Sequence, residues 1–119
     1  EAAGHPASTR YGTINGDLAL REAYAAEVSA LYGATISAGE INITAGCNQA
    51  YTATMMALVR AGDTVLLPTP WYFNHEMTLT MLGVETRPLP CDPAAGFIPD
   101  VVEAERLIDT RTRAIVLVT

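Results

Sequence analysis

The strongest constraint on the fold is a regular alternation of short apolar segments with longer stretches of helical periodicity. Residues 64–67 and 114–118 are almost entirely aliphatic and have the length of strands. Between them lie a predicted helix at residues 71–82, a strand at 84–89 and a helix at 99–109. This alternation indicates βαβ crossovers, and the two apolar strands suit a sheet covered on both faces. We therefore predict an α/β fold with three layers, α-β-α, and a mostly parallel sheet.

The first half of the chain continues the same alternation. Residues 1–16 are rich in Gly, Pro, Ser, Thr and Asn and predict an extended lead-in, so the domain itself is expected over residues 17–119. Three elements follow: a helix from Asp17 to about Tyr32 with Leu20, Tyr24, Val28 and Leu31 on one face, a strand at residues 41–44, and a helix from Asn48 to about Ala61. In the later strand at 84–89, Pro88 predicts an edge position or an early end.

Charge and cysteine content exclude several classes of function. The chain carries 7 basic and 13 acidic residues, a net charge of -6. It therefore lacks the excess of positive charge that binds nucleic acid or an anionic membrane. Every basic residue is arginine, so the chain supplies no lysine amine as a nucleophile. Cys47 and Cys91 lie far apart without metal-ligand spacing, which predicts no metal site and a cytoplasmic location. The uncharged run at residues 41–59 holds too many polar side chains to span a membrane.

The first candidate site is the predicted turn between a strand and a helix at residues 43–50. Gly46 permits a close backbone approach, Asn48 adds a side-chain donor, and the amides at a helix N-terminus favour a phosphate. The competing interpretation is an ordinary βα turn, because no glycine-rich nucleotide motif accompanies it.

The second candidate is the aromatic segment that follows the strand at residues 64–67. Trp71, Tyr72 and Phe73 stand where ligands bind in open α/β sheets, so one ring could stack on a planar heterocycle with Asn74 or His75 near its polar edge. The alternative, favoured for Trp71 and Phe73 individually, is that the rings pack the helix onto the sheet. His75 is interpreted as a structural hydrogen-bonding residue.

The third candidate is Tyr11, which stands on a loop bracketed by Gly12 and Gly16. A tyrosine in this position could reach into the cleft of a neighbouring subunit, or it could be part of a simple turn before the helix. Its spacing does not decide between the two.

In this order, the segments resemble the class I/II aminotransferases, which are pyridoxal-phosphate enzymes of fold type I. The resemblance runs from Tyr11 to Thr119, and no single motif in it is specific. Its parts are Tyr11-Gly-x-x-x-Gly16 with Leu20-Arg21, Glu40-Ile-x-Ile-Thr-x-Gly46-x-x-Gln49-Ala50, Gly62-Asp63-x-Val65, Pro68-x-Pro70-x-Tyr72, Gly83, Gly96-Phe97, and a strand from Ile115 that resembles the one leading into the family's Asn-Pro-Thr-Gly turn.

The resemblance implies a role for each matching residue. The turn of Gly46, Cys47 and Asn48 would bind the phosphate of pyridoxal 5'-phosphate, with the amides of Cys47 and Asn48 as donors. Tyr72 would stack on the pyridine ring, and Tyr11 would reach the cofactor of the partner subunit in a homodimer. Asn74 and His75 resemble residues near the ring in some subfamilies. On this interpretation Gly46→Val weakens cofactor binding, because a branched side chain crowds the turn.

The resemblance also implies what this stretch does not contain. The family's cofactor-binding lysine, the aspartate that pairs with the pyridine nitrogen and the arginine that binds the substrate carboxylate all lie further along a full-length chain. The sequence is therefore expected to be a partial large domain with an open sheet edge, without catalytic residues and inactive alone. The expected reaction is amino-group transfer between an amino acid and a 2-oxo acid. A lyase or synthase of the same fold, and a ligand-sensing domain of a transcription regulator, remain open alternatives.

Overall fold

The computed structural model describes residue 4 and residues 10–118, and the chain divides into two compact units, with Cys47 the last residue of the first and Asn48 the first residue of the second. Residues 1–3 and 5–9 of the predicted lead-in, and Thr119 at the end of the last predicted strand, lie outside the described residues. The elements in chain order are α1 (Leu18–Tyr32), a short 3-10 helix (Ala38–Glu40), α2 (Cys47–Leu58), β1 (Thr64–Pro68), α3 (Phe73–Met81), β2 (Glu85–Leu89), a second 3-10 helix (Pro93–Ala95), α4 (Val101–Leu107) and β3 (Thr112–Ile115).

Helix α1 dominates the first unit and begins and ends where the sequence predicts. The Asp17 carboxylate accepts a hydrogen bond from the Leu20 amide at 3.3 Å, and Gly33 ends the helix in a left-handed conformation at φ 62°. The apolar face predicted for α1 stays uncovered, because Ala25 is the helix's buried residue and Tyr24 and Leu31 are more than half exposed. Within the described part of this unit, the other helical segment has three residues and covers little of α1.

The strand predicted at residues 41–44 does not form. The Ile43 amide donates a hydrogen bond to the Asn15 carbonyl at 2.9 Å, but no ladder continues from it among the described residues. The chain just before this stretch is instead turned by a capping box, in which the Glu40 carboxylate accepts from the Ser37 amide at 2.8 Å. Alternating apolar residues were thus misleading here, because a strand also requires a partner strand.

The second unit contains the predicted parallel sheet. Its strand order is β2-β1-β3, and both neighbours run parallel to β1. The central strand β1 is buried from Thr64 to Leu67, as expected for a strand covered on both faces. Strand β2 lies at an edge of the described sheet, which confirms the prediction from Pro88. The last strand differs from its prediction: it begins at Thr112, ends at Ile115, and forms the other edge, where Ile115 is exposed.

Helices cover both faces of this sheet and confirm the three-layer architecture. Along β1, Val65 and Leu67 face one side and Leu66 faces the other. The first side holds the main buried cluster, to which α2 contributes Met55 and α3 contributes Leu79. On the opposite side, Arg87 of β2, the register partner of Leu66, donates a hydrogen bond to a carbonyl at the end of α4 at 2.7 Å.

Three of the predicted helices are shorter than their sequence patterns. Helix α2 ends at Leu58, because the Arg60 amide donates at 3.0 Å to the carboxylate of the buried Asp63 and begins a turn. Helix α3 begins at Phe73, because Tyr72 has the extended conformation of a helix cap, with φ -75° and ψ 121°. Helix α4 begins after Asp100, whose carboxylate accepts hydrogen bonds from the first-turn amides at 2.7 and 3.1 Å.

A network of ion pairs joins β2 to the turn that precedes β3. Arg87 contacts Glu85 at 3.2 Å and Asp109 at 3.0 Å, and Arg111 contacts Glu85 at 3.0 Å. The hydrogen bond from Arg87 is the main cause that lowers the pKa of Glu85. The pKa of Asp109 is also lowered, chiefly because its carboxylate accepts from the backbone amide of Arg111 and next from Arg87. This network lies beside the amino ends of the strands, away from the candidate site.

Candidate functional site

The predicted phosphate turn consists of the irregular segment that ends at Ala45, of Gly46, and of the start of helix α2. Gly46 adopts φ +91°, in the left-handed region, and its carbonyl accepts a hydrogen bond from the Thr44 hydroxyl at 3.0 Å. Helix α2 begins at the next residue, and Gly46, Cys47 and Asn48 are all exposed. The first amides of a helix have no acceptor within the helix, and the helix dipole favours an anion there. The turn therefore offers donors to an anionic group.

Open space adjoins this turn. A Cβ built on Gly46 would meet no other heavy atom within 4 Å. The crowding expected of Gly46→Val therefore does not come from the described chain itself. The substitution would instead strain a backbone with positive φ and place methyl groups in the open space beside the helix start.

Tyr72 is the cap residue of α3 and presents an aromatic ring that is 46% exposed. Its hydroxyl oxygen accepts a hydrogen bond from Asn74 Nδ2 at 2.7 Å. The two neighbouring aromatics behave differently from each other. Trp71 packs against the buried cluster, as predicted, whereas Phe73 is 59% exposed, so its predicted packing onto the sheet is wrong. Phe73 lies in the first turn of α3, and its ring contacts that of Tyr72 at 5.0 Å.

His75 lies between two tyrosine rings. Its imidazole centroid is 4.4 Å from the ring of Tyr51 at 43°, and 5.6 Å from the ring of Tyr72 in an edge-on arrangement at 85°. The Tyr51 hydroxyl donates to the His75 carbonyl at 3.4 Å, and burial raises the pKa of Tyr51. The structural interpretation of His75 is thus consistent with its surroundings. Tyr51 was not among the candidate site residues singled out from the sequence, although it follows Asn48 by one helical turn.

A cavity of about 710 Å³ opens at the carboxyl ends of the strands, a volume typical of small-molecule sites. Its walls are mostly apolar, and Tyr72 and His75 are the candidate site residues among them. Among the described lining residues the one carboxylate is that of Asp100, which caps α4. Asn48 is not among the described lining residues, so this cavity brings together the aromatic part of the candidate site and not the phosphate turn.

Tyr11 belongs to the first unit, whereas Asn48 and Tyr72 belong to the second. Its side chain is fully exposed. The loop that carries it is closed by a turn, in which the Gly16 amide donates to the Thr13 carbonyl at 3.0 Å. Arg21 supports this turn from α1, because its Nε donates to the Gly16 carbonyl at 3.2 Å.

Metal ligands, disulfides and membrane-spanning helices are the other features of the described residues that bear on function. Within the described residues, no group of three or more His, Cys, Asp or Glu side chains could bind a metal ion. Cys47 and Cys91 are both free thiols. None of the helices in the described part of the chain has the length and apolar character needed to cross a bilayer.

Comparison with known families gives a match over the whole sequence. The family model described as "Aminotransferase class I and II" matches residues 1–119. The chain is 34% identical to the methionine aminotransferase of Escherichia coli over 113 residues, which are 94% of this chain and 29% of that protein. It is also 30% identical over 93 residues to YjiR of the same organism, an uncharacterised HTH-type transcriptional regulator, covering 78% of this chain and 20% of the regulator.

A solved structure agrees with the fold. The aspartate aminotransferase of Thermus thermophilus superposes with a TM-score of 0.90 at 28% identity, over 98% of this chain and 30% of that one. The chain thus spans less than a third of the length of each of these proteins.

Proposed function

Because this chain belongs to the class I and II aminotransferase family, we propose that the protein containing it is a pyridoxal-phosphate-dependent aminotransferase. It would transfer an amino group between an amino acid and a 2-oxo acid. Residues 17–119 would form the first part of its large, cofactor-binding domain. The observation that carries this proposal is the turn at Gly46, which has positive φ, open space beside it and a 12-residue helix beginning at the next residue.

The residues present fit this cofactor on two points. The turn leaves free the space that a Cβ at Gly46 would enter, so a phosphate could approach the amides of Cys47 and Asn48. Tyr72 presents a half-exposed ring to a mostly apolar cavity, which suits stacking on a flat heterocycle. The two features address the two ends of one ligand, because pyridoxal phosphate joins a phosphate to an aromatic ring.

The chain's own part in the reaction is to bind and orient. When bound, the cofactor withdraws electrons from the substrate carbon that carries the amino group. The amides at the start of α2 would hold the phosphate, and Tyr72 would stack on the aromatic ring. The Tyr72 hydroxyl accepts a hydrogen bond from Asn74 Nδ2 at 2.7 Å, which fixes the direction of the phenol. No residue of this stretch is assigned a proton transfer.

The proposed assembly is a homodimer located in the cytoplasm. Tyr11 has the exposure and the loop position expected of a side chain that reaches a partner subunit. Two free thiols are compatible with a reducing compartment.

A second candidate has one specific observation in its favour, the match to the HTH-type regulator. In that case the same residues would bind cofactor or ligand in a sensing domain. The two candidates differ in turnover: an aminotransferase converts a 2-oxo acid into an amino acid many times per active site, and a sensor does not. A lyase or synthase would instead release a group from the β-carbon of its substrate.

The test uses the intact gene product. It is first titrated with pyridoxal 5'-phosphate and with pyridoxal, and cofactor absorbance and tyrosine fluorescence are followed. It is then incubated with amino acids from the aspartate, aromatic and branched-chain groups together with a 2-oxo acid, and amino-acid product is quantified. Tight binding of the phosphorylated form with catalytic turnover supports the proposal. Binding without turnover favours the sensor. Equal affinity for pyridoxal 5'-phosphate and pyridoxal would refute the assignment of the phosphate to the turn at Gly46.

A further inference from the structure

The loop that carries Tyr11 is fixed at its base by an arginine. We call residues 11–16 the Tyr11 loop; it leads into α1, and Tyr11 is fully exposed at its beginning. We propose that Arg21 is a positioning residue, which holds the base of this loop so that Tyr11 can reach the cofactor of the partner subunit. This inference rests on the proposed function, because it concerns the Tyr11 contact of the proposed homodimer.

Arg21 connects three segments of the first unit through backbone carbonyls. It lies near the start of α1, and its partly buried guanidinium donates two hydrogen bonds to other segments. Nε donates to the Gly16 carbonyl at 3.2 Å, and Nη1 donates to the carbonyl of Ala38, in the first 3-10 helix, at 2.6 Å. Because the donors of a guanidinium lie in one rigid plane, these two bonds fix the end of the Tyr11 loop relative to both helices.

Gly16 is also held by the chain segment that contains Ile43. A Cβ built on Gly16, whose φ is +91°, would lie 2.6 Å from the Ile43 Cβ, so the two residues are packed without space for a methyl group. The Ile43 amide donates to the carbonyl of Asn15, the neighbour of Gly16, at 2.9 Å. The base of the Tyr11 loop is therefore held by two separate segments, through Arg21 and through Ile43.

The fixed base limits the positions that Tyr11 can occupy. The Gly16 amide donates to the Thr13 carbonyl at 3.0 Å, and the Thr13 hydroxyl donates to the Gly16 carbonyl, which closes the turn. A single residue, Gly12, separates this turn from Tyr11. Each residue that must be ordered when a ligand binds costs conformational entropy, equivalent to about 5- to 30-fold in affinity. A base that is already ordered should therefore strengthen the contact between Tyr11 and the cofactor.

The experiment is a double-mutant cycle on the intact gene product, with the dissociation constant for pyridoxal 5'-phosphate as the readout. Arg21→Met removes the donors and keeps an unbranched side chain that favours a helix. Tyr11→Ala removes the proposed contact, and a third protein carries both substitutions. Glu27→Met is the control, because Glu27 is an exposed residue of the same helix. If Arg21→Met does not fold, Arg21→Lys takes its place, since lysine keeps the charge but lacks the planar pair of donors.

The free energy of unfolding and the oligomeric state are measured for every variant, so that affinities are compared between folded dimers. We expect Tyr11→Ala and Arg21→Met each to weaken cofactor binding about tenfold, the first through a lost contact and the second through a loop that must be ordered on binding. In the protein that already carries Tyr11→Ala, adding Arg21→Met should change the affinity less than about twofold, because the contact that Arg21 supports is absent. Glu27→Met should also stay within about twofold of the unaltered protein.

A role of Arg21 in the fold alone predicts a different result. Arg21→Met would then weaken binding by the same factor whether or not Tyr11 is present. That additive result, or unchanged affinity in Arg21→Met, would overturn the positioning role of Arg21 and leave the role of Tyr11 intact. If Tyr11→Ala itself binds the cofactor normally, or if the unaltered protein is a monomer, the proposed role of Tyr11 fails and the inference fails with it.

Discussion

Two glycines of this chain allow the backbone effect of a substitution to be separated from its effect on a ligand. Gly46 and Gly62 have nearly the same φ, +91° and +89°, and a Cβ at either would meet no heavy atom within 4 Å. An L-residue in the left-handed region costs about 1–2 kcal/mol. Replacing glycine by alanine lowers the conformational entropy of the unfolded chain, which stabilises the folded state by about 0.4–1 kcal/mol. Gly46→Ala and Gly62→Ala should therefore each lower the free energy of unfolding by about 1 kcal/mol, from the difference of these terms.

The two variants should differ in cofactor binding, because only Gly46 belongs to the proposed phosphate turn. The added methyl group enters the open space next to the amides of Cys47 and Asn48. Losing one hydrogen bond to a charged group costs about 1.5–3 kcal/mol. We therefore expect Gly46→Ala to weaken binding of pyridoxal 5'-phosphate about 10- to 100-fold. Gly62→Ala should leave it within about twofold, since its strain is equal but distant from the ligand.

The assay pairs urea denaturation without cofactor with titration of pyridoxal 5'-phosphate and pyridoxal. Denaturation verifies that the two variants lose the same stability, which makes them a matched pair. Titration then shows whether the loss of affinity is confined to Gly46→Ala and to the phosphorylated ligand. Equal affinities in the two variants would refute the assignment of the phosphate to this turn, and unequal stabilities would refute the strain argument.

Three further predictions concern stability and are tested by denaturation of the intact gene product. Leu66→Ala removes a side chain that is 0% exposed and should cost about 2–5 kcal/mol. Asp63→Ala leaves the Arg60 amide without its carboxylate acceptor and should cost about 1–3 kcal/mol. The pKa values of Glu85 and Asp109 are lowered from 4.5 and 3.8, so their contribution is complete above those values and lost as the pH falls below them. Unfolding profiles between pH 6 and 2 should show this loss, and Glu85→Gln should reduce it; a profile that is the same in both proteins would contradict it.

Local sequence patterns predicted the second unit well, because there the periodicity and the packing agree. A central strand with four consecutive buried positions has an almost continuous apolar sequence, and it needs helices on both faces. Pro88 predicted an edge because it cannot donate a hydrogen bond to a neighbouring strand. Helix ends were less accurate, since they depend on particular side chains such as the buried Asp63, which draws the Arg60 amide out of α2.

The first unit shows why periodicity alone is insufficient. Residues 41–44 alternate between apolar and polar side chains as a strand does, yet a strand is stable only beside another strand. In the described part of the chain, the Ile43 amide donates one hydrogen bond, to the Asn15 carbonyl, and no strand pairing follows from it. Helix α1 has its predicted caps, which are properties of a few adjacent residues. Whether its apolar face is buried depends on the segments that pack against it, and the sequence of the helix does not specify those segments.

In the candidate site too, features set by adjacent residues were predictable from the sequence, and contacts between distant residues were not. Gly46 and the start of α2 were predictable, because a glycine directly before a helical sequence pattern indicates a turn with positive φ. Tyr51 and His75 are 24 residues apart, so no local pattern relates them. Tyr51 is partly buried against the core cluster, and its ring also contacts that of His75 at a centroid distance of 4.4 Å. The helical periodicity of α2 predicts contacts with the core, and it carries no information about a partner on another helix. The contact between Tyr51 and His75 forms because α2 and α3 pack on the same face of the parallel sheet.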